Sequence, residues 1–332
     1  MFDDIFGPKC ERDFYDELCT RGPDAFSNFI MVLKSAGYYE IADDLQIKKD
    51  NEQVPVYYKM DSDPFIGYCL IIMNQEFDKK KCYREGCQVD AVALKNLFEK
   101  LKYDVQIEWN KEGDQMMSIL KKFSEKTEFK NVDSCIVYIL SHGGQLQNLD
   151  YILGTDLERV YKQDIYSMFN NKNCNLLIGK PKIFFFQACR GELLDYGVSK
   201  NSCACDANHN TNNQSSPDWV NVSSLKFDKD RIVEMKYPYC SDMFIVHSSL
   251  PDHKSWKNHL AGSWLCQDLV SVVSEHYDKY DLATMMTFVN SKQIVRESAD
   301  GCKQITHFEQ VGVTGLLQFK RSKKGATSSK TS

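Results

Sequence analysis

No stretch of 18 residues in this 332-residue chain is free of charged side chains, and the opening MFDDIFGPKCERDF has no basic segment leading into a long apolar run. A span of lipid needs about 20 predominantly apolar residues, so neither a membrane segment nor a secretory leader is indicated, and a cytoplasmic location is expected. A positive excess is also missing: the formal net charge is -5. Without a basic face there is no general attraction to a phosphate backbone, so nucleic acid is not an expected partner. The 13 Cys form no obvious framework of pairs. In a reducing compartment an odd total reads as free thiols, most of them small core residues. Cys203, Cys205 and His209 come nearest to a metal cluster, but Cys-x-Cys misses the usual structural zinc spacing, so no metal and no cofactor is expected.

What is present is a change of pattern along the chain. Residues 1–50 read as short helices: in RGPDAFSNFIMVLKSAGYYEIADDL, Phe26, Phe29, Ile30 and Leu33 recur at helical spacing, Gly37 can stop the run, and a second helix follows over Tyr39 to Ile47. Helices of that total length have little core of their own. From Pro64 onward, FIGYCLIIMNQEF, YDVQIEW, SCIVYIL, PKIFFFQAC and SDMFIVHSSL are short apolar runs of the kind covered on both faces, and TGLLQFK at 314–320 reads as a last strand. Helices are expected over Asp90 to Lys102, Met116 to Phe123, Leu157 to Asn170, Trp264 to Tyr277 and Leu282 to Val289. Such alternation implies an α/β fold, a mostly parallel sheet with helices on both sides. Residues 197–230 have neither period and are rich in Asn, Ser and Asp, which marks a linker or functional loop. The tail, residues 321–332, reads as a frayed end.

Two motifs sit where open α/β sheets place ligands, at the C-terminal ends of strands: SHGG at 141–144 and QACRG at 187–191. A lone cysteine is more often core than catalyst. Paired with His142, however, Cys189 has a group that can lower its pKa or protonate a leaving amine. Gly143 and Cys189 then offer backbone N–H groups that could cradle an oxyanion.

Gln-Ala-Cys-Arg-Gly with a histidine about 50 residues upstream is a local signature of the caspases. From Tyr57 to Phe319 the chain resembles that family, through YKMDSDPFIGYCLIIMNQEF, REGCQVDAVALKNLF, SCIVYILSHGG, KPKIFFFQACRG and SDMFIVHSSLPDHKSWKNHLAGSWLCQDL. The resemblance implies a caspase-like sheet of six strands, with a large-subunit region over 55–195, a cleavable linker over 196–230 and a small-subunit region over 231–320. It implies a cysteine endopeptidase acting on protein substrates, with Cys189 as nucleophile, His142 as general acid/base, and Gly143 and Cys189 as the oxyanion hole. A backbone carbonyl just before Arg84 is expected to orient His142. Arg84 and Gln187 resemble groups that hold an acidic P1 side chain, with Ser255, Trp256 and Lys257 standing where the family has Ser-Trp-Arg. Lysine keeps the charge but lacks the bidentate fork, so Asp is the expected P1 residue and Glu stays open.

Candidate processing sites are Asp195, Asp206, Asp218, Asp228 and Asp230. The front segment resembles the last helices of a caspase recruitment domain, implying an adaptor as partner and an apoptotic initiator role. The last strand, near Gly315 to Phe319, is expected to make a homodimer. The alternative is a weakly active or inactive caspase-fold regulator that dimerises with another caspase.

Overall fold

The computed structural model describes residues 25–35, 37–39, 41–42, 56–198 and 236–320, which fall into two compact units, Met1–Pro55 and Val56–Ser332. In the first unit, α1 (Ala25–Ser35) ends as its sequence suggests. Gly37 adopts φ +87°, its N–H donates to the Lys34 carbonyl at 3.1 Å, and the Tyr38 N–H reaches back to Leu33 at 2.9 Å. Those two bonds satisfy carbonyls that the helix end would otherwise leave open. Most of the second expected helix, over Tyr39 to Ile47, lies outside the described residues.

The second unit is built on a six-stranded sheet. Its strands are β1 (Gly67–Met73), β2 (Tyr103–Trp109), β3 (Ser134–Leu140), β7 (Lys182–Gln187), β8 (Met243–His247) and β11 (His307–Val311), in the order β11-β8-β7-β3-β1-β2. All pairs are parallel except β11 with β8. Successive side chains on a strand point to opposite faces, so a run such as Phe184-Phe185-Phe186 must find cover on both. Phe185 faces one core with α2 (Cys87–Lys100), α5 (Trp264–His276) and α6 (Leu282–Gln293). Phe184 and Phe186 face the other, with α3 (Gly113–Ser124) and α4 (Lys162–Met168).

Helix boundaries differ from the periodic reading where capping chemistry intervenes. Periodicity starts α3 at Met116, yet the Glu112 and Gln115 side chains form a reciprocal capping box that begins it at Gly113. The run Leu157 to Asn170 is not one helix. Its first part forms β6 (Arg159–Tyr161), which joins β4 (Gly143–Leu146) and β5 (Leu149–Leu153) in a small antiparallel sheet. A second short pair, β9 (Lys257–Asn258) with β10 (Gly262–Ser263), precedes α5.

The last strand requires a correction. Residues 314–320 form no strand; Leu316 makes a single bridge to Tyr57, while Leu317 and Phe319 turn into the core. Burial of those side chains under α6, whose Leu282 N–H donates to the Leu317 carbonyl at 2.7 Å, pulls the segment off the sheet edge. The sixth strand is instead β11.

Phe185 stacks on Tyr138 at 5.0 Å and packs against Phe98 at 6.2 Å. Phe185→Ala is expected to lower stability by about 3–5 kcal/mol, read as a shift of the urea midpoint with an unchanged denaturant slope.

Candidate active site

Strands β3 and β7 are neighbours in parallel register, with Leu140 opposite Gln187, so the chain leaves both at the same end. One turn carries Ser141 and His142, the other Ala188 and Cys189. Gly143 then begins β4 against the nucleophile turn: a Cβ there would lie 3.0 Å from the Cys189 carbonyl oxygen and 2.6 Å from that of Tyr151. Only glycine lets the two backbones approach this closely. His142 and Gly143 therefore share one surface with Cys189, which is distant in sequence.

The His142 ring is fixed on two sides. Nε2 meets the Cys82 carbonyl at 2.8 Å, and Phe77 packs against the ring at 4.8 Å. The orienting carbonyl thus lies two residues before Arg84, and a neutral ring bonded this way carries its proton on Nε2 and leaves Nδ1 basic. Burial lowers the pKa of His142; the Cys82 carbonyl opposes that shift, and the cations Arg84 and Lys257 add to it. Cys189 is partly exposed, and its Sγ receives the Ser255 N–H at 3.4 Å.

Beside them lies a pocket of cations. Arg84 is 4% exposed, its guanidinium donating to the Asn74 carbonyl at 3.0 Å, and it leads into α2 through Gly86. Gly86 has φ +81°, and a Cβ there would lie 2.9 Å from the His259 carbonyl, so the missing side chain lets the β9 hairpin dock on this turn. Docking brings Lys257 up to Arg84. Lys257 donates to the Glu85 carbonyl at 3.4 Å, and burial followed by repulsion from Arg84 lowers its pKa. Gln187 is 2% exposed; its Nε2 donates to Ser255 Oγ at 3.1 Å, while its Oε1 has no partner. Trp256 is held by its backbone N–H on Gln304 Oε1 and lies 6.4 Å from Trp264.

Several contributors escaped the sequence reading. Gln304 belongs to no local motif, and Phe77, at the end of YKMDSDPFIGYCLIIMNQEF, carries no expected role there. Nor did Asp150 stand out, although its Oδ2 accepts from Arg190 Nε at 2.7 Å and Lys162 Nζ at 3.2 Å. Burial works against that carboxylate, but the two cations hold its pKa below the usual range. Asp150 lies on β5, so the bond ties the β4–β5 hairpin to the residue following Cys189. An Asp between Leu149 and Tyr151 gives no signal of this in sequence.

Among the processing candidates, Asp195 is engaged: its carbonyl accepts the Lys303 N–H at 2.6 Å and its carboxylate the Gly197 N–H at 2.8 Å. Asp206, Asp218, Asp228 and Asp230, with Cys203, Cys205 and His209, lie outside the described residues. No helix among the described residues is long and apolar enough to cross a membrane.

A nearby cation disfavours imidazolium, so its removal raises a histidine pKa. His142 should titrate below the ordinary histidine value of about 6.5, and Lys257→Met should move its midpoint upward, measured by NMR of the ring protons. An unchanged midpoint would separate Lys257 from the His142 site.

The Caspase domain family profile matches residues 66–318. Caspase-2 of Gallus gallus is 32% identical over 259 residues, 76% of this chain and 58% of that protein, so the chain spans a little over half of this relative's length. Caspase-3 of Xenopus laevis is 30% identical over 228 residues, covering 68% of this chain and 71% of its own. The crystal structure of caspase-1 from Spodoptera frugiperda superposes with a TM-score of 0.65 at 24% identity, covering 83% of this chain and 97% of that one, and so shares the fold. The profile spans the sheet from β1 to β11 and both motif-bearing turns, and with these relatives it shows that the chain belongs to the caspase family of cysteine endopeptidases.

Proposed function

We propose that this chain cleaves peptide bonds after an acidic residue and serves as an apoptotic initiator. The observation that carries the specificity is the pairing of Arg84 with Lys257: two cations share a partly buried pocket, and neither has an ion pair with a carboxylate among the described residues. Two positive groups held together repel each other, an effect that Glu85 and Asp90 offset only from outside ion-pair distance, and a P1 carboxylate relieves the remaining cost. Gln187 adds to this. If its amide is turned, the Ser255 hydroxyl donates to Oε1 and the Nε2 group faces the substrate, which also satisfies the orphaned oxygen.

In this reading the Cys189 thiolate adds to the carbonyl carbon after the acidic residue, with His142 Nδ1 as the proton acceptor. The N–H groups of Gly143 and Cys189 stabilise the oxyanion. Protonated His142 delivers its proton to the leaving amine as the C–N bond breaks, and water then hydrolyses the thioester, returning the thiol and releasing the new carboxylate. Lys257 reaches the carboxylate as a point charge rather than a fork, weakening its contact by roughly 1–3 kcal/mol against an arginine. Asp is then preferred with Glu tolerated. Of the two sheet edges, β11 and β2, dimerisation is assigned to β11, the last strand in the sequence, and an adaptor would dock on the front helical segment.

With matched peptides bearing Asp, Glu, Asn or Ala at P1 and enforced dimers of the full chain, kcat/KM is expected to be measurable only for Asp and Glu and to vanish in Cys189→Ala. Lys257→Arg should raise the Asp over Glu ratio by about tenfold, one good charge-assisted contact. Absence of cleavage by a folded dimer would favour the regulator that modulates another caspase. For processing, mass spectrometry of the matured chain should find a new N-terminus between residues 207 and 231 and none at residue 196, since the backbone at Asp195 is paired; an uncleaved active dimer would remove linker cleavage from the mechanism.

A further inference from the structure

At the sheet edge, β8 and β11 run antiparallel with His307 directly opposite His247. Alternation puts His307 and Glu309 on one face of β11 and Phe308 and Gln310 on the other. Phe308 stacks on Phe244 at 6.4 Å, on the face covered by α2, α5 and α6. On the opposite face, His247 stacks on Phe186 at 5.6 Å and on His307 at 5.7 Å, with interplanar angles of 17° and 22°. Glu309 Oε1 lies 3.4 Å from His247 Nε2 and 3.4 Å from His307 Nδ1. Both separations are long for charge-assisted hydrogen bonds, which run at about 2.7–2.9 Å. They match the spacing of ligands around a tetrahedral zinc ion: bonds of about 2.0–2.1 Å put neighbouring ligand atoms roughly 3.3–3.4 Å apart.

We propose that His247 Nε2, His307 Nδ1 and Glu309 Oε1 form a binding site for a borderline divalent cation of the zinc class, with water in the fourth position. Two imidazoles and one carboxylate are a donor set suited to zinc and poorly suited to calcium or magnesium. In the single chain the His307 and Glu309 side chains are 34% and 40% exposed, which gives the ion a path in before β11 pairs with a second copy, while His247 is buried and fixed by Phe186.

Binding rearranges two neighbours. His307 Nδ1 now accepts from Arg190 at 2.8 Å, and the ion takes that lone pair, so this Arg190 nitrogen withdraws while its Nε keeps Asp150. Lys162 contacts His247 Nδ1 at 3.0 Å. With Nε2 on the metal, Nδ1 carries the ring proton, and Lys162 turns wholly to Asp150, which it already reaches at 3.2 Å. The two cations oppose the ion, so affinity is below that of a closed structural zinc site.

The test is titration of Co2+ into the full-length chain carrying Cys189→Ala, followed by its visible absorption and by displacement with Zn2+. Expected are one Co2+ per chain, the intense visible bands of tetrahedral coordination, and no sulfur-to-cobalt charge-transfer band in the near ultraviolet. His307→Ala and Glu309→Gln should each weaken binding at least tenfold, with thermal melts reporting the fold. If His307→Ala melts early, Glu309→Gln decides, since it keeps size and shape. No uptake, a thiolate band, or uptake that Glu309→Gln retains overturns the site.

Discussion

The parallel register of β3 with β7 is the constraint on which the rest of the structure depends. With Leu140 opposite Gln187, the two strands end together, and the groups that follow emerge as neighbours. A slip of one residue would turn every side chain of a strand to its other face, exchanging Phe185 with its neighbours between two different cores. The pairing is therefore held by the packing of both layers at once. Catalytic geometry and core packing are the same constraint seen from the end and from the faces of the sheet.

A second requirement is electrostatic. Arg84 and Lys257 come from distant segments, brought together because Gly86 leaves room for the β9 hairpin. Burial first and repulsion from Arg84 second lower the pKa of Lys257, and the two cations add to the larger effect of burial in depressing that of His142. In the proposed reading, an acidic substrate side chain would enter the same field that acts on His142 and offset both effects, which would link recognition to proton transfer.

Behind the site, Arg190, Asp150, Lys162, His247, His307 and Glu309 run continuously from the nucleophile turn to the edge strand. Buried charges persist only when each has partners, so a change at one member passes to the next. This chain of contacts gives the sheet edge a route to Cys189 that does not cross the substrate pocket.

The sequence by itself determined the strand core, the two catalytic-type turns and the family, because these are carried by contiguous residues. Apolar runs such as KIFFFQ declare burial on both faces, and QACRG with SHGG declares strand-end chemistry. Arg84, Gln187 and Lys257 were also legible through their motif context. Only the tertiary structure decided the rest. TGLLQFK reads as a strand on composition, yet Leu317 and Phe319 gain more by entering the core than by extending the sheet, and β11 takes the edge. Leu157 to Asn170 has helical spacing, yet pairing with β5 claims its first residues. Asp150 and Gln304 carry no local signature, because their roles depend on which segments lie opposite them. Local pattern fixes what a segment must bury; which distant segment supplies the partner is settled only when the chain closes on itself.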